Sequence, residues 1–149
     1  MPKPTRHRSA AVLASLAVLV SLTGCAASYA GATVPASASV AMPMTAPLAV
    51  DVKSANGRIV IRQDESAREA IVSAEAKLQN EDRASRFTID ATLRDDGTLV
   101  VRPAWPDGRR RGGERCSVEI IAPALHGVVA ETDNGSITLA GGTGDARPE

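Results

Sequence analysis

The chain has 149 residues and carries 17 basic against 17 acidic side chains, a formal charge of zero at neutral pH. That length allows one small domain, and nothing in the balanced charge suggests nucleic-acid binding, which normally needs a concentrated basic surface. Single Phe, Trp and Tyr residues leave any core to be built from thin aliphatic side chains.

Met1–Arg8 holds Lys3, Arg6 and Arg8 without an acid, and Ala10–Val20 follows as an apolar run. These are the charged and apolar parts of an export signal, too short to span a bilayer, which takes roughly 20 apolar residues. Leu22-Thr23-Gly24-Cys25 comes next and resembles the lipobox of bacterial lipoproteins. The resemblance implies cleavage between Gly24 and Cys25, a diacylglycerol on the Cys25 sulfur, and acylation of the new amine. Small residues before the cysteine let the backbone enter a peptidase cleft, and a thiolate is nucleophilic enough to take the lipid. Two or three acyl chains anchor firmly where one is marginal. An ordinary signal cut after Ser28-Tyr29-Ala30 is the competing reading. Ala26-Ala27 places no acid after Cys25, which resembles lipoproteins passed to the outer membrane of didermic bacteria. Removal of residues 1–24 takes away Lys3, Arg6 and Arg8 and leaves the mature chain at about −3.

Ala26–Pro47 is built mostly of Ala, Ser, Thr, Pro and Met without a charge. It shows no sustained period and reads as a flexible tether, 25–47, between lipid and domain. From Leu48 the texture changes to short alternating runs, so the β-rich domain is expected over 48–144, with 145–149 as a tail. Leu48–Lys53 alternates, Asn56-Gly57 marks a turn, and Arg58–Gln63 places Ile59 and Ile61 on one face. Ala70–Leu78 reads as a strand, although Ser66–Glu69 offers a helix start. Arg86–Leu93 points Phe87, Ile89, Ala91 and Leu93 inward, and Asp96-Gly97 turns into Thr98–Arg102. Pro103–Arg115 interrupts the pattern, Cys116–Ala122 resumes it, and Gly127–Thr132, Asn134-Gly135 and Ser136–Ala140 form a last pair. Strands at such spacing with almost no helix predict an all-β fold: sandwich, barrel or solenoid.

A repeat chooses among these. Residues 54–61 and 132–139 both read [S/T]-x-N-G-x-I-x-[I/L], a turn–strand unit of the kind that forms one coil of a β-solenoid. Chance recurrence in an Asn-Gly hairpin protein is the alternative. Together with the signal and tether, V-x-V-K-S-x-N-G-x-I-x-I, V-E-I-I-A-P and T-D-N-G-S-I-T-L-A-G resemble bacterial envelope proteins with an adhesin domain of the auto-transporter-adhesin-head type. The resemblance covers about Val50–Gly144. It implies a β-solenoid or prism (a β-sandwich being the alternative), a role in adhesion or surface contact, and no catalytic residues. Members of that family continue with further coils, whereas this sequence stops soon after its last strand. A capping tail, a covering partner chain and a truncated product are the three readings of that difference.

Residues able to carry chemistry are few. His126 has no second ligand at metal spacing, Cys116 has no nearby histidine in sequence, and no Gly-x-Ser-x-Gly elbow occurs. Gly141–Gly144 lacks the lysine and helix of a phosphate cradle. Asp64-Glu65, Glu81-Asp82 and Asp95-Asp96 suit turns better than calcium. No catalytic set, cofactor or metal is expected. With Cys25 lipidated, Cys116 has no intramolecular disulfide partner. The distinctive local feature is the loop with Trp105, Arg109, Arg110, Arg111 and Arg115. It reads as a solvated insertion or as a grip on an anionic glycan or lipid headgroup. The functional expectation is a lipid-anchored envelope protein with a non-enzymatic adhesion or surface-interaction domain. Its alternative is an accessory lipoprotein binding a partner protein through an exposed strand edge; a hydrolase has only scattered Ser, Asp and His behind it.

Overall fold

The structure is a computed structural model that describes residues 33–141 and the backbone of 18–19. Gly24, Cys25 and, apart from Val18–Leu19, the rest of the expected signal lie outside the described residues, as do 142–149. The described chain is all-β, in two mixed sheets that face each other like a sandwich. The first sheet has the order β1 (Val18–Leu19), β2 (Val34–Pro43), β5 (Glu69–Leu78), β8 (Arg115–Ala122), β4 (Ile59–Gln63), β10 (Ile137–Ala140). The second has β6 (Thr88–Leu93), β7 (Thr98–Ala104), β3 (Leu48–Ser54), β9 (Leu125–Thr132). One short helix, α1 (Glu81–Ser85), starts on the side chain of Asn80, which accepts from the Arg83 N–H.

The tether expected over 25–47 is corrected by β2. Val34–Pro43 pairs antiparallel with the whole of β5, Val34 opposite Leu78 and Pro43 opposite Glu69. Ala38, Val40 and Met42 are buried while Ser37, Ala41 and Pro43 are exposed. The segment therefore does alternate with period two, but in Ala against Ser and Pro, a contrast too weak to stand out from a linker composition. The β-rich fold therefore includes Val34–Pro43, ahead of the start expected at Leu48.

Asn56-Gly57 and Asn134-Gly135 do turn the chain, but between sheets rather than within one; the expected pairing of β9 with β10 is corrected, since they lie in different sheets. Each Asn-Gly carries the chain from the second sheet across to the first. Three such two-strand arms lie side by side: β7–β8, β3–β4 and β9–β10, with β3 parallel to both β7 and β9 and β4 parallel to both β8 and β10. From Ala49↔Gly127 and Val50↔Val128 through Ser54↔Thr132 to Ile59↔Ile137 and Leu139↔Ile61, partners in the last two arms are 78 residues apart. The sequence repeat is thus a stacked repeat. Asp96-Gly97, by contrast, is a true hairpin turn between β6 and β7: Gly97 takes φ 80 and its N–H donates to the Arg94 carbonyl.

The core lies between the sheets. Leu48, Val50, Val52, Leu99 and Val101 of the second sheet meet Ile59, Ile61, Val72, Val118 and Ile120 of the first, with alanines filling β2 and β5. Phe87 and Ile89 are buried as expected, but Leu93, at the outer end of an edge strand, is exposed. Ion pairs cross the stacked arms on the solvent face, Arg102 to Asp51 at 2.9 Å and Lys53 to Glu131 at 2.6 Å.

Candidate contact surfaces

The arginine-rich segment is the corner of the first arm, enlarged. Partners of β3 and β7 are 49 residues apart (Ala49↔Thr98), and partners of β4 and β8 are 59 apart (Ile59↔Val118), so this corner is ten residues longer than the Asn56-Gly57 corner beside it. Its interior is an ion pair. Arg83 of α1, 1% exposed, donates through Nε and Nη2 to the two oxygens of Glu114, 0% exposed, at 2.6 and 2.9 Å. The same guanidinium donates to the carbonyls of Pro106 at 3.1 Å and Arg109 at 2.9 Å and to Asp107 at 3.2 Å. The Glu114 carboxylate also accepts the N–H groups of Arg111 and Gln79. Burial alone would raise the Glu114 carboxyl, but the Arg83 guanidinium and these two N–H donors hold it below the ordinary range. The corner is therefore built around Arg83 rather than left as a solvated insertion.

Pinning the corner separates its charged groups. Trp105 turns toward the core and meets Phe87 edge-on, ring centroids 5.5 Å apart. Arg111 pairs with Asp107 at 3.4 Å, and Arg110 reaches Asp133 at 4.0 Å and the Glu114 carbonyl at 3.2 Å. Arg109 and Arg115 are exposed and make no ion pair among the described residues. Arg83 and Glu114 went unrecognised in the sequence as partners, being 31 residues apart. The one available signal was Asn80, three residues before Arg83, as a helix cap.

The second surface is the outer side of β9–β10. Ile137 and Leu139 occupy the positions that Ile59 and Ile61, fully buried, occupy in the neighbouring arm, yet they are 48% and 56% exposed. Val129 on β9 is 63% exposed. Val129 faces solvent beside Asp51, whereas Ile137 and Leu139 face the core side; β9 ends one sheet and β10 the other, so among the described residues both strands have an unpaired edge.

No family model and no curated protein matches this chain. The remaining expected positions have local explanations. Cys116 is fully buried in β8 and its thiol is pushed up to about 12 by burial, far from a nucleophile's range. His126 is exposed on β9. Asp64 accepts the hydroxyl and N–H of Ser66, and Asp96 accepts the N–H of Thr98, contacts that hold both carboxyls below their usual range. Among the described residues no cluster of His, Cys, Asp or Glu could hold a metal ion, and no helix is long and apolar enough to cross a membrane.

Proposed function

We propose that this chain is a lipid-anchored bacterial envelope protein that acts by contact, without catalysis, and that a partner adds a strand at the β9–β10 edge. The observation that carries the reading is the exposure of Ile137 and Leu139 at positions buried one arm away. An edge of this kind gives main-chain hydrogen bonds for affinity and alternate side chains for selectivity. Anchoring through Cys25 rests on the lipobox. Cleavage before Cys25 would remove β1 and leave β2 as the sheet edge, where Pro35 and Pro43 blunt further pairing.

The in-register stacking of β3–β4 on β9–β10 supports a second, finer reading. In it the three arms are coils of a β-solenoid, to which the antiparallel β2, β5 and β6 are added, and the contact is adhesion to an outside surface.

A photo-crosslinking residue at position 139 in the full chain, expressed in bacterial envelopes, tests the first reading. It should capture one protein partner, and Ile137→Lys should abolish capture while the circular-dichroism spectrum stays that of a β protein. Retention on glycan-coated surfaces with no crosslinked protein would favour adhesion. Crosslinks unaffected by Ile137→Lys would remove the edge from the function. Cys25→Ala should release the protein from membranes and end incorporation of labelled palmitate.

A further inference from the structure

We infer that the end of the fold nearest the anchor is an electrostatic foot that rests on anionic lipid headgroups, an inference that depends on lipidation of Cys25. Two independent observations meet there. The first is topological. β2 begins at Val34, opposite Leu78, so the chain joins the fold at the end holding Lys77, Arg115 and the enlarged corner. Eight residues lie between Cys25 and Val34, and whatever their path they reach at most about 30 Å. The 25–47 tether expected from composition would have reached more than twice as far; β2 takes up ten of its residues.

The second is the charge at that end. Lys77 and Arg115 stand directly opposite each other on adjacent strands, and like charges so placed oppose the fold. Both are on the outer face of the first sheet and exposed. Arg58 and Arg109 lie at the same end, and none of these four makes an ion pair among the described residues. Glu81 and Glu75 are the acidic groups there that stand outside ion pairs; Asp107 is shared among Arg83, Arg86 and Arg111, and Asp82 pairs with Arg86. The opposite end is acidic, with Asp64, Glu65, Glu69, Asp95 and Asp96 beside Arg68 and Arg94.

Distance decides which end a membrane feels. The ten residues of β2 separate the two ends, about 30 Å of strand, against a screening length of about 10 Å at 0.1 M salt. An anionic leaflet holding the anchor therefore attracts the Lys77–Arg115 end and is blind to the acidic one. Each basic side chain brought to such a surface is worth about fivefold in binding, so the cations convert a short leash into a fixed orientation. The β9–β10 edge then stands upright along the side of the domain, clear of the lipid.

Trp105 is the sole tryptophan and lies at this end, so it reports the orientation. The lipidated full-length product, purified from envelopes, is reconstituted into vesicles carrying a dansyl-headgroup lipid. Energy transfer from Trp105 should be stronger in phosphatidylglycerol-rich vesicles than in pure phosphatidylcholine, and should fall as salt is raised. Lys77→Gln with Arg115→Gln should lower the docked-to-undocked ratio about 25-fold, and both positions are exposed, so the fold is retained. Transfer that ignores lipid charge, salt and the double substitution would overturn the foot while leaving the anchor intact. A mass lacking diacylglycerol on Cys25 would instead overturn the anchoring reading, and the foot with it.

Discussion

The side-chain amide of Asn134 donates to the carboxamide oxygen of Asn56 at 2.9 Å, joining two corners 78 residues apart. Around it the Thr132 hydroxyl donates to the Gly57 carbonyl at 3.0 Å, and the Ser54 hydroxyl donates to the Cys116 carbonyl at 2.7 Å. The corners stack so closely that side chains are excluded. A Cβ on Gly57 would fall inside the Cys116 carbonyl, and one on Gly135 inside the Gly57 carbonyl.

Gly57→Ala should therefore lower stability by about 3 kcal/mol or more, because rigid backbone on the neighbouring arm must move. Gly97→Ala makes the comparison: its φ of 80 is strained for alanine, but no atom lies within 4 Å of the new Cβ. It should cost about 1–2 kcal/mol. Urea midpoints of the two variants check the order, and an equal loss would mean that the corners are not closely stacked.

The Arg83–Glu114 pair gives a second prediction. Removing one partner leaves a buried charge unpaired, so Glu114→Ala or Arg83→Ala should cost about 3–5 kcal/mol, whereas Arg83→Met with Glu114→Leu should recover most of the loss. The pair also sets an acid limit. The Glu114 carboxyl is lowered in the folded chain, so its contribution is present above the unfolded value of about 4.3 and disappears as pH falls through the folded value. Thermal midpoints taken from pH 6 downward should fall more steeply than in the double variant.

How far these features were legible in the sequence depended on contrast. The Ile59/Ile61 and Ile137/Leu139 alternations were readable because aliphatic residues stand against polar ones, and their repeat proved to be a spatial stack. β2 was hidden because Ala36, Ala38, Ser37 and Ser39 differ little in hydropathy, and its alternation appears only when β5 lies alongside. Arg83 and Glu114 were hidden for another reason: nothing local distinguishes a buried arginine from a solvated one, and only the fold brings Arg83 to a carboxylate 31 residues away. The corner arginines were legible as a cluster, but the division between paired Arg111 and unpaired Arg115 was not, since it follows from how Glu114 folds the loop.

Cys116 supplies a test at alkaline pH. Its thiol titrates at about 12 in the folded chain against about 8.5 when unfolded. The native state therefore binds a proton that the unfolded state has lost. Stability should be unaffected below the unfolded value, then fall by about 1.4 kcal/mol per pH unit across the interval. Cys116→Ala should remove that slope. Labelling by a thiol reagent at neutral pH should proceed only as fast as the chain unfolds, and rapid labelling of native protein would contradict burial.

The stacked repeat allows the same substitution to be made in two settings. Ile59 and Ile137 are register partners in β4 and β10 and share the motif position after Asn-Gly-x. Ile59 is fully buried between the sheets and Ile137 is half exposed at the edge. Ile59→Ala removes packed methylene groups and leaves a cavity, which should cost about 2–5 kcal/mol. Ile137→Ala removes a side chain already half in water and should cost about 1 kcal/mol or less in the isolated protein. If a partner covers the β9–β10 edge, that inequality narrows: with the partner bound, Ile137→Ala should weaken the complex by several-fold while Ile59→Ala changes mainly the fold. Denaturation of free and partner-bound protein in parallel separates the two effects. Equal costs in the free chain would mean that the edge is already covered, and would withdraw it as the contact surface.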